Sequence, residues 1–211
     1  MSDTRNKTKK ILEDEMPTPS GKELKQLVAE LKSEFEFGLA RELLAKVRNA
    51  DPADVWIVQQ LALCTYKDEE LLPIPRFSDA LLLLEEIGLR DSAVIKAKAI
   101  DPKTLPETLA LGGAVYKRKW EYGGQLEHLH EALHFYRAAW EQDNEQDMGY
   151  GGINAAYVLD ILASRAKIVA AHSGSEPREA NELQRQTQAL RGEMLDVLLN
   201  AAKQDPVSGA T

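Results

Sequence analysis

The 211-residue sequence predicts an all-α protein, a tetratricopeptide-like helical-hairpin solenoid of about eight helices. Three observations carry that prediction. Apolar residues recur at i, i+3, i+4 and i+7 through nearly every segment after residue 20, the period of a one-faced helix. No alternating run flanked by hairpin signals appears, so no sheet is expected. Small residues fall at matching places in successive helix pairs, as stacked hairpins require.

Composition bounds the function. Hydrophobic residues make up 44% and charged residues 28%, the balance of a soluble globular chain. Lys and Arg number 26 against 34 Asp and Glu, a net charge of −8, which disfavours a general phosphate-backbone binder. No nucleic-acid partner is therefore expected. Cys64 is the single cysteine, so no intramolecular disulfide forms, which suits a reducing compartment. The N-terminus lacks an apolar leader core, and the run of leucines at 81–84 is far too short to span a bilayer. The sequence thus points to a cytoplasmic protein with no membrane contact.

The elements follow in order. Residues 1–20 are polar, with Pro17 and Pro19 near their end, and read as a flexible N-terminal tail holding at most a turn of helix at 8–14. The helical domain is expected over 21–206, with 207–211 a C-terminal tail or truncation point. Ser20 and Glu23 fit a capping box that opens the first helix. With Gly21 as the first position, Leu24, Leu27, Val28, Leu31, Ala40, Leu44, Val47 and Pro52 fall on the packing positions of a tetratricopeptide repeat. A second unit carries Val58, Leu61, Ala62 and Thr65, then Ala80, Leu84 and Ile87 after an insertion with Pro73 and Pro75. Thr104 and Glu107 form a second capping box.

The third unit carries Leu109, Gly113 and Tyr116, then Ala132, Tyr136 and Ala139. The fourth carries Tyr150, Ile153, Asn154 and Tyr157, then Met194, Leu198, Ala201 and Pro206. The later helices are expected at 105–120, 125–142, 150–171 and 177–203, with Ser175 capping the last. Gly113, Ala132 and Ala139 let paired helices approach, and the large residues fill the gap to the next unit. Gly112-Gly113 and Gly151-Gly152 suit close helix approach, and Gly123-Gly124 an interhelix loop; none has the context of a phosphate cradle. Cys64 reads as an inert packing residue.

Three segments are more specific than the generic repeat: 107–120 (ETLALGGAVYKRKW), 132–141 (ALHFYRAAWE) and 150–157 (YGGINAAY). Together they resemble the TRAFs-binding domain, the tetratricopeptide-like helical region of apoptosis-signal-regulating kinases and its bacterial relatives. The resemblance covers about residues 55–165. It implies a regulatory scaffold that binds other proteins and is often fused to a separate effector domain. An enzyme activity and a cofactor are not expected on this reading. Residues 92–105 depart from the pattern as an extra connection, and the stretch from Tyr157 to Met194 is far longer than a plain repeat allows. The chain stops at Thr211, which fits either a fragment of a longer protein or a last unit capped by its own long helix.

A partner protein or peptide is expected in the groove lined by the first helix of each pair. The candidate contacts are Lys117, Lys119, Trp120, Tyr150 and Asn154. The cluster Lys117-Arg118-Lys119-Trp120 reads in two ways. It is either the solvated end of a helix, where cations suit the dipole, or a contact for an acidic partner segment with Trp120 as anchor. Asn154 either bonds a neighbouring turn or faces the groove. The alternative function is a small zinc-dependent hydrolase. His130-Glu131-Ala132-Leu133-His134 matches H-E-x-x-H, whose two imidazoles one turn apart can hold Zn²⁺ while the Glu activates water. Against it, Ala132 is already used in packing, the two histidines tilt toward solvent, and no downstream signature supplies a third ligand. His128 adds a further imidazole suited to adventitious metal affinity. A purely structural or oligomerising module is the third reading.

Overall fold

A computed structural model of the chain describes residues 3–49, 54–142 and 149–204, the side chains of 201–204 excepted. Its ten α-helices among the described residues are α1 (Asp3–Leu12), α2 (Gly21–Ser33), α3 (Phe37–Arg48), α4 (Val55–Lys67), α5 (Pro73–Glu85), α6 (Ser92–Ala97), α7 (Leu105–Gly123), α8 (Leu126–Gln142), α9 (Tyr150–Ser173) and α10 (Arg178–Gln204). A 3₁₀ turn at Pro102–Thr104 precedes α7. Strands are absent among the described residues. The fold is all-α, and neighbours in sequence pack as pairs. α1 and α6 account for the difference from the expected eight. Pro52, Pro206 and the 207–211 tail lie outside the described residues, as does the side chain of Ala201. The chain divides into two compact units, Met1–Thr104 and Leu105–Thr211.

In the first unit, the stretch expected as a mobile tail forms α1 instead. Its Thr8 is fully buried and its Ile11 is 1% exposed, seated in a core with Leu24, Leu27, Leu43 and Leu44. A ten-residue helix is marginal in water by itself. Burying one isoleucine contributes about 1.5–3 kcal/mol, which anchors it. Ion pairs such as Lys7 to Glu23 at 2.8 Å sit at the surface and add little. The packing positions expected in α2 and α3 are all buried, as are Val58, Leu61, Ala62 and Thr65 in α4 and Ala80 and Leu84 in α5.

The entry to α2 differs from expectation: Ser20 makes no side-chain cap bond. Gly21 enters at φ +52°, outside the helical basin, so the hydroxyl is not in capping register. Asp54 does cap α4, accepting from the Ile57 amide at 3.2 Å. At the other end of α4, Asp68 is 3% exposed. Its carboxylate accepts from Arg41 Nε at 2.9 Å and from the Glu70 amide at 3.1 Å. Its carbonyl accepts from Arg76 Nη1 at 3.0 Å. A buried carboxylate requires such partners, and these tie α3, α4 and α5 together.

In the second unit, α7 and α8 form the third hairpin. A Cβ at Gly113 would stand 2.7 Å from Tyr136 Cδ1, so glycine is required where the α7 backbone meets that ring. Tyr136 is 1% exposed, and Ala132 and Ala139 are fully buried beside it. α9 repeats the device. A Cβ at Gly152 would stand 2.9 Å from Met194 Sδ and 3.1 Å from Trp140 Cε3, because α9 lies between α8 and α10.

The small residues therefore decide which face of α9 is inside: Gly151, Gly152, Ala155, Ala156, Leu159 and Ala163 are buried. This corrects the register expected for the fourth unit. Tyr150, Ile153 and Tyr157, expected as packing residues, are 49%, 57% and 50% exposed. In α10, Met194 is buried as expected, but Leu198 faces outward with Leu195 and Leu199. Ser175 belongs to the end of α9 and not to the start of α10. Its amide donates to the Ala170 carbonyl at 3.0 Å, past Gly174 at φ +63°.

Cys64 is fully buried on α4, and burial pushes its thiol up to about 12. The thiolate is the reactive form. A disulfide-exchange reagent is therefore expected to leave Cys64 untouched in native buffer and to titrate it fully in denaturant. Rapid labelling of the native protein would contradict this packing.

Candidate partner-binding site

The site grows from the two first-of-pair helices of the second unit. On α7, Gly113 faces α8, and residues three and four further along flank that direction. Tyr116 turns to one side, where its ring stacks on Phe135 at 5.6 Å between centroids. Lys117 turns to the other, its Nζ 5.0 Å from the centre of the Tyr157 ring on α9. That is cation–π distance. On α9, Tyr150, Ile153, Tyr157, Ile161 and Ile168 are spaced by threes, fours and one double step, which keeps them along one side of the helix.

Trp120, half-buried in the last turns of α7, joins this side. With Tyr157, Asp160, Ile161, Arg165 and Ile168 it lines a shallow cleft of about 340 Å³. Its indole Nε1 is buried and finds no acceptor among the described residues. Asp160 is held by Arg191 of α10 at 2.5 Å. Tyr150 meets Tyr136 edge to face, with centroids 6.3 Å apart. Asn154 donates to the Tyr150 carbonyl at 2.9 Å, the local bond that was one of its two expected roles.

The structure thus brings Lys117 and Trp120 together with Tyr157, and sets Tyr150 and Asn154 toward the start of the same helix. Lys119 is elsewhere: its Nζ lies 5.3 Å over the Tyr116 ring, on the α7–α8 side. Arg118 pairs with Glu121 at 2.5 Å. Sequence reasoning missed Ile153, Tyr157, Ile161, Arg165 and Ile168 as members of the site. The available signal was that α9 carries apolar residues on two faces, more than one packing stripe uses.

His130 and His134 lie on the exposed side of α8, with the His134 ring 5.2 Å from that of Phe135. Among the described residues no group of three or more His, Cys, Asp or Glu side chains is placed to hold a metal ion. A larger hollow of about 540 Å³ in the first unit is lined in part by side chains that pair with one another. There Arg5 pairs with Glu36 at 2.9 Å, and Lys67 lies 5.3 Å over the Phe37 ring. Among the described residues no helix is long and apolar enough to cross a membrane.

Helices paired in sequence, with glycine and alanine at their crossings and a bulky surface left on the first helix of a pair, define a tetratricopeptide-like protein. Residues 36–159 match the family model described as Tetratricopeptide Repeats-Sensor, and the chain belongs to that family. The match runs from the start of α3 to the middle of α9 and includes Lys117, Trp120, Tyr150 and Tyr157. No curated protein and no solved structure matches the chain.

The α7–α8 side holds one perturbed group. Burial first, and then the Lys119 ammonium, push the His128 imidazole below its ordinary value, although Glu127 and Glu131 pull the other way. Its Nδ1 is buried without a hydrogen-bond partner among the described residues. With the folded value depressed, the unfolded chain takes up the proton first as pH falls through about 6.5. Stability is therefore full above that pH and declines below it until the folded value is passed. Thermal unfolding of His128→Gln should fall less than that of the native chain over this window. Equal declines would contradict the burial of this imidazole.

Proposed function

We propose that the chain is a non-enzymatic, regulatory interaction module that docks a segment of another protein on the outward face of α9 and the end of α7. The observation that carries this reading is the outward stripe of Tyr150, Ile153, Tyr157 and Ile168, each about half or more exposed. Contiguous exposed apolar surface of this kind marks a contact with another molecule. The resemblance to the TRAFs-binding domain and membership of a sensor family support the same reading. A role beside an effector, in one polypeptide or in a complex, follows from that resemblance.

Selection of random peptides on the immobilised full chain tests it. The selected peptides are expected to lose about ten-fold or more in affinity for Ile153→Ser or Tyr157→Ser. Both side chains are outward, so stability should change by no more than about 0.5 kcal/mol. Failure to select any peptide, or peptides that bind both variants as well as the native chain, would contradict the docking surface.

A further inference from the structure

We infer that the segment docked on the α7–α9 face is acidic and carries one bulky apolar side chain; this rests on reading that face as a docking surface. The argument is charge complementarity. Two cations border the apolar floor: Lys117 over the Tyr157 ring, and Arg165, exposed at the cleft itself. Among the described residues neither is paired with a carboxylate. The carboxylate that lines the cleft, Asp160, is engaged by Arg191 at 2.5 Å, so it does not offset them. The face is thus locally positive on a chain whose net charge is −8. Such a patch attracts acidic segments and repels basic ones.

A second copy of this chain fits less well. Two such faces brought together about a dyad would bring Lys117 and Arg165 of both copies into one interface, like charges at an apolar contact. The cleft is shallow and bounded by Trp120, Ile161 and Ile168, which suits one large apolar anchor with carboxylates on either side. The anchor would lie against the part of the Trp120 ring that remains open to the cleft. The flanking carboxylates would meet Lys117 and Arg165.

Random-peptide selection on the full chain, followed by titration of synthesised hits, tests the inference. Selected peptides are expected to be net negative with a recurrent aromatic or large aliphatic residue, and to bind less tightly as salt rises. Charge reversal with Lys117→Glu and Arg165→Glu together should weaken them about ten-fold or more, and lysine-for-acid versions of the same peptides should regain affinity for that variant. Helicity by circular dichroism confirms that the variant folds. Should it not, Arg165→Glu alone, at an exposed side chain, serves with an expected loss of several-fold.

Neutral or basic peptides that need Tyr157 yet ignore the charge reversal would overturn the acidic partner while leaving the docking surface standing. Peptides indifferent to Tyr157 would overturn the surface itself. A single-stranded oligonucleotide that binds through Lys117 and Arg165 and displaces the peptides would also overturn the inference, in favour of nucleic acid.

Discussion

The contact between the Gly113 backbone and the Tyr136 ring sets the geometry of the second unit. Tyr136 is buried almost completely, and its ring occupies the space in which any side chain at 113 would have to stand. Helices normally meet with 8–10 Å between axes, and the lower end of that range needs a missing side chain at the crossing. Ala132 and Ala139 on α8 are fully buried and add no bulk to the crossing. The next crossing obeys the same rule, with Gly152 facing Met194 and Trp140. Two tight crossings in succession commit the small faces of α7 and α9 to the interior.

The exposed apolar face of α9 is a consequence of that commitment. When glycines and alanines take the inside of α9, its tyrosines and isoleucines have nowhere to go but out. The helix is apolar enough on both sides to fill a core, yet one side has no element over it among the described residues. Lys117 and Trp120 reach this side from α7, and Arg191 of α10 neutralises the nearby Asp160. Packing thus brings aromatic area together with Lys117 and Arg165, residues far apart in sequence. The histidine pair on α8 stands outside this logic: it lies on the solvent side of a helix whose inner face is spent on packing.

The helices of the four hairpins were legible because each carries an apolar stripe of the right period and the crossings carry small residues. Close helix approach at Gly113 was legible from spacing; the Tyr136 ring as the group it meets was not, since the large residues were expected to fill the gap to the next unit. The fourth unit was misread because two signals on α9 conflict. Tyr150, Ile153 and Tyr157 fit the large positions of a repeat, while Gly151 and Gly152 indicate close approach one residue away. Periodicity cannot choose between two apolar faces of one helix; the close approach of Met194 and Trp140 does. α1 was missed because its anchor is a single isoleucine in a charged stretch, a long-range burial that no local pattern announces. Of the candidate contacts, Trp120 fell into the cleft and Lys117 onto the Tyr157 ring beside it. Lys119 did not, since two residues of rotation turn it to the α8 side.

A double-mutant cycle between positions 113 and 136, read by denaturant unfolding, tests the central constraint most directly. In the native background Gly113→Ala should destabilise by about 1–2 kcal/mol, because overpacking against the ring exceeds the helix propensity that alanine adds. In a Tyr136→Ala background the same change should stabilise by about 1 kcal/mol, since propensity alone remains. The same sign in both backgrounds would show that the ring does not limit the approach of α7, and the orientation argued for α9 would lose its foundation.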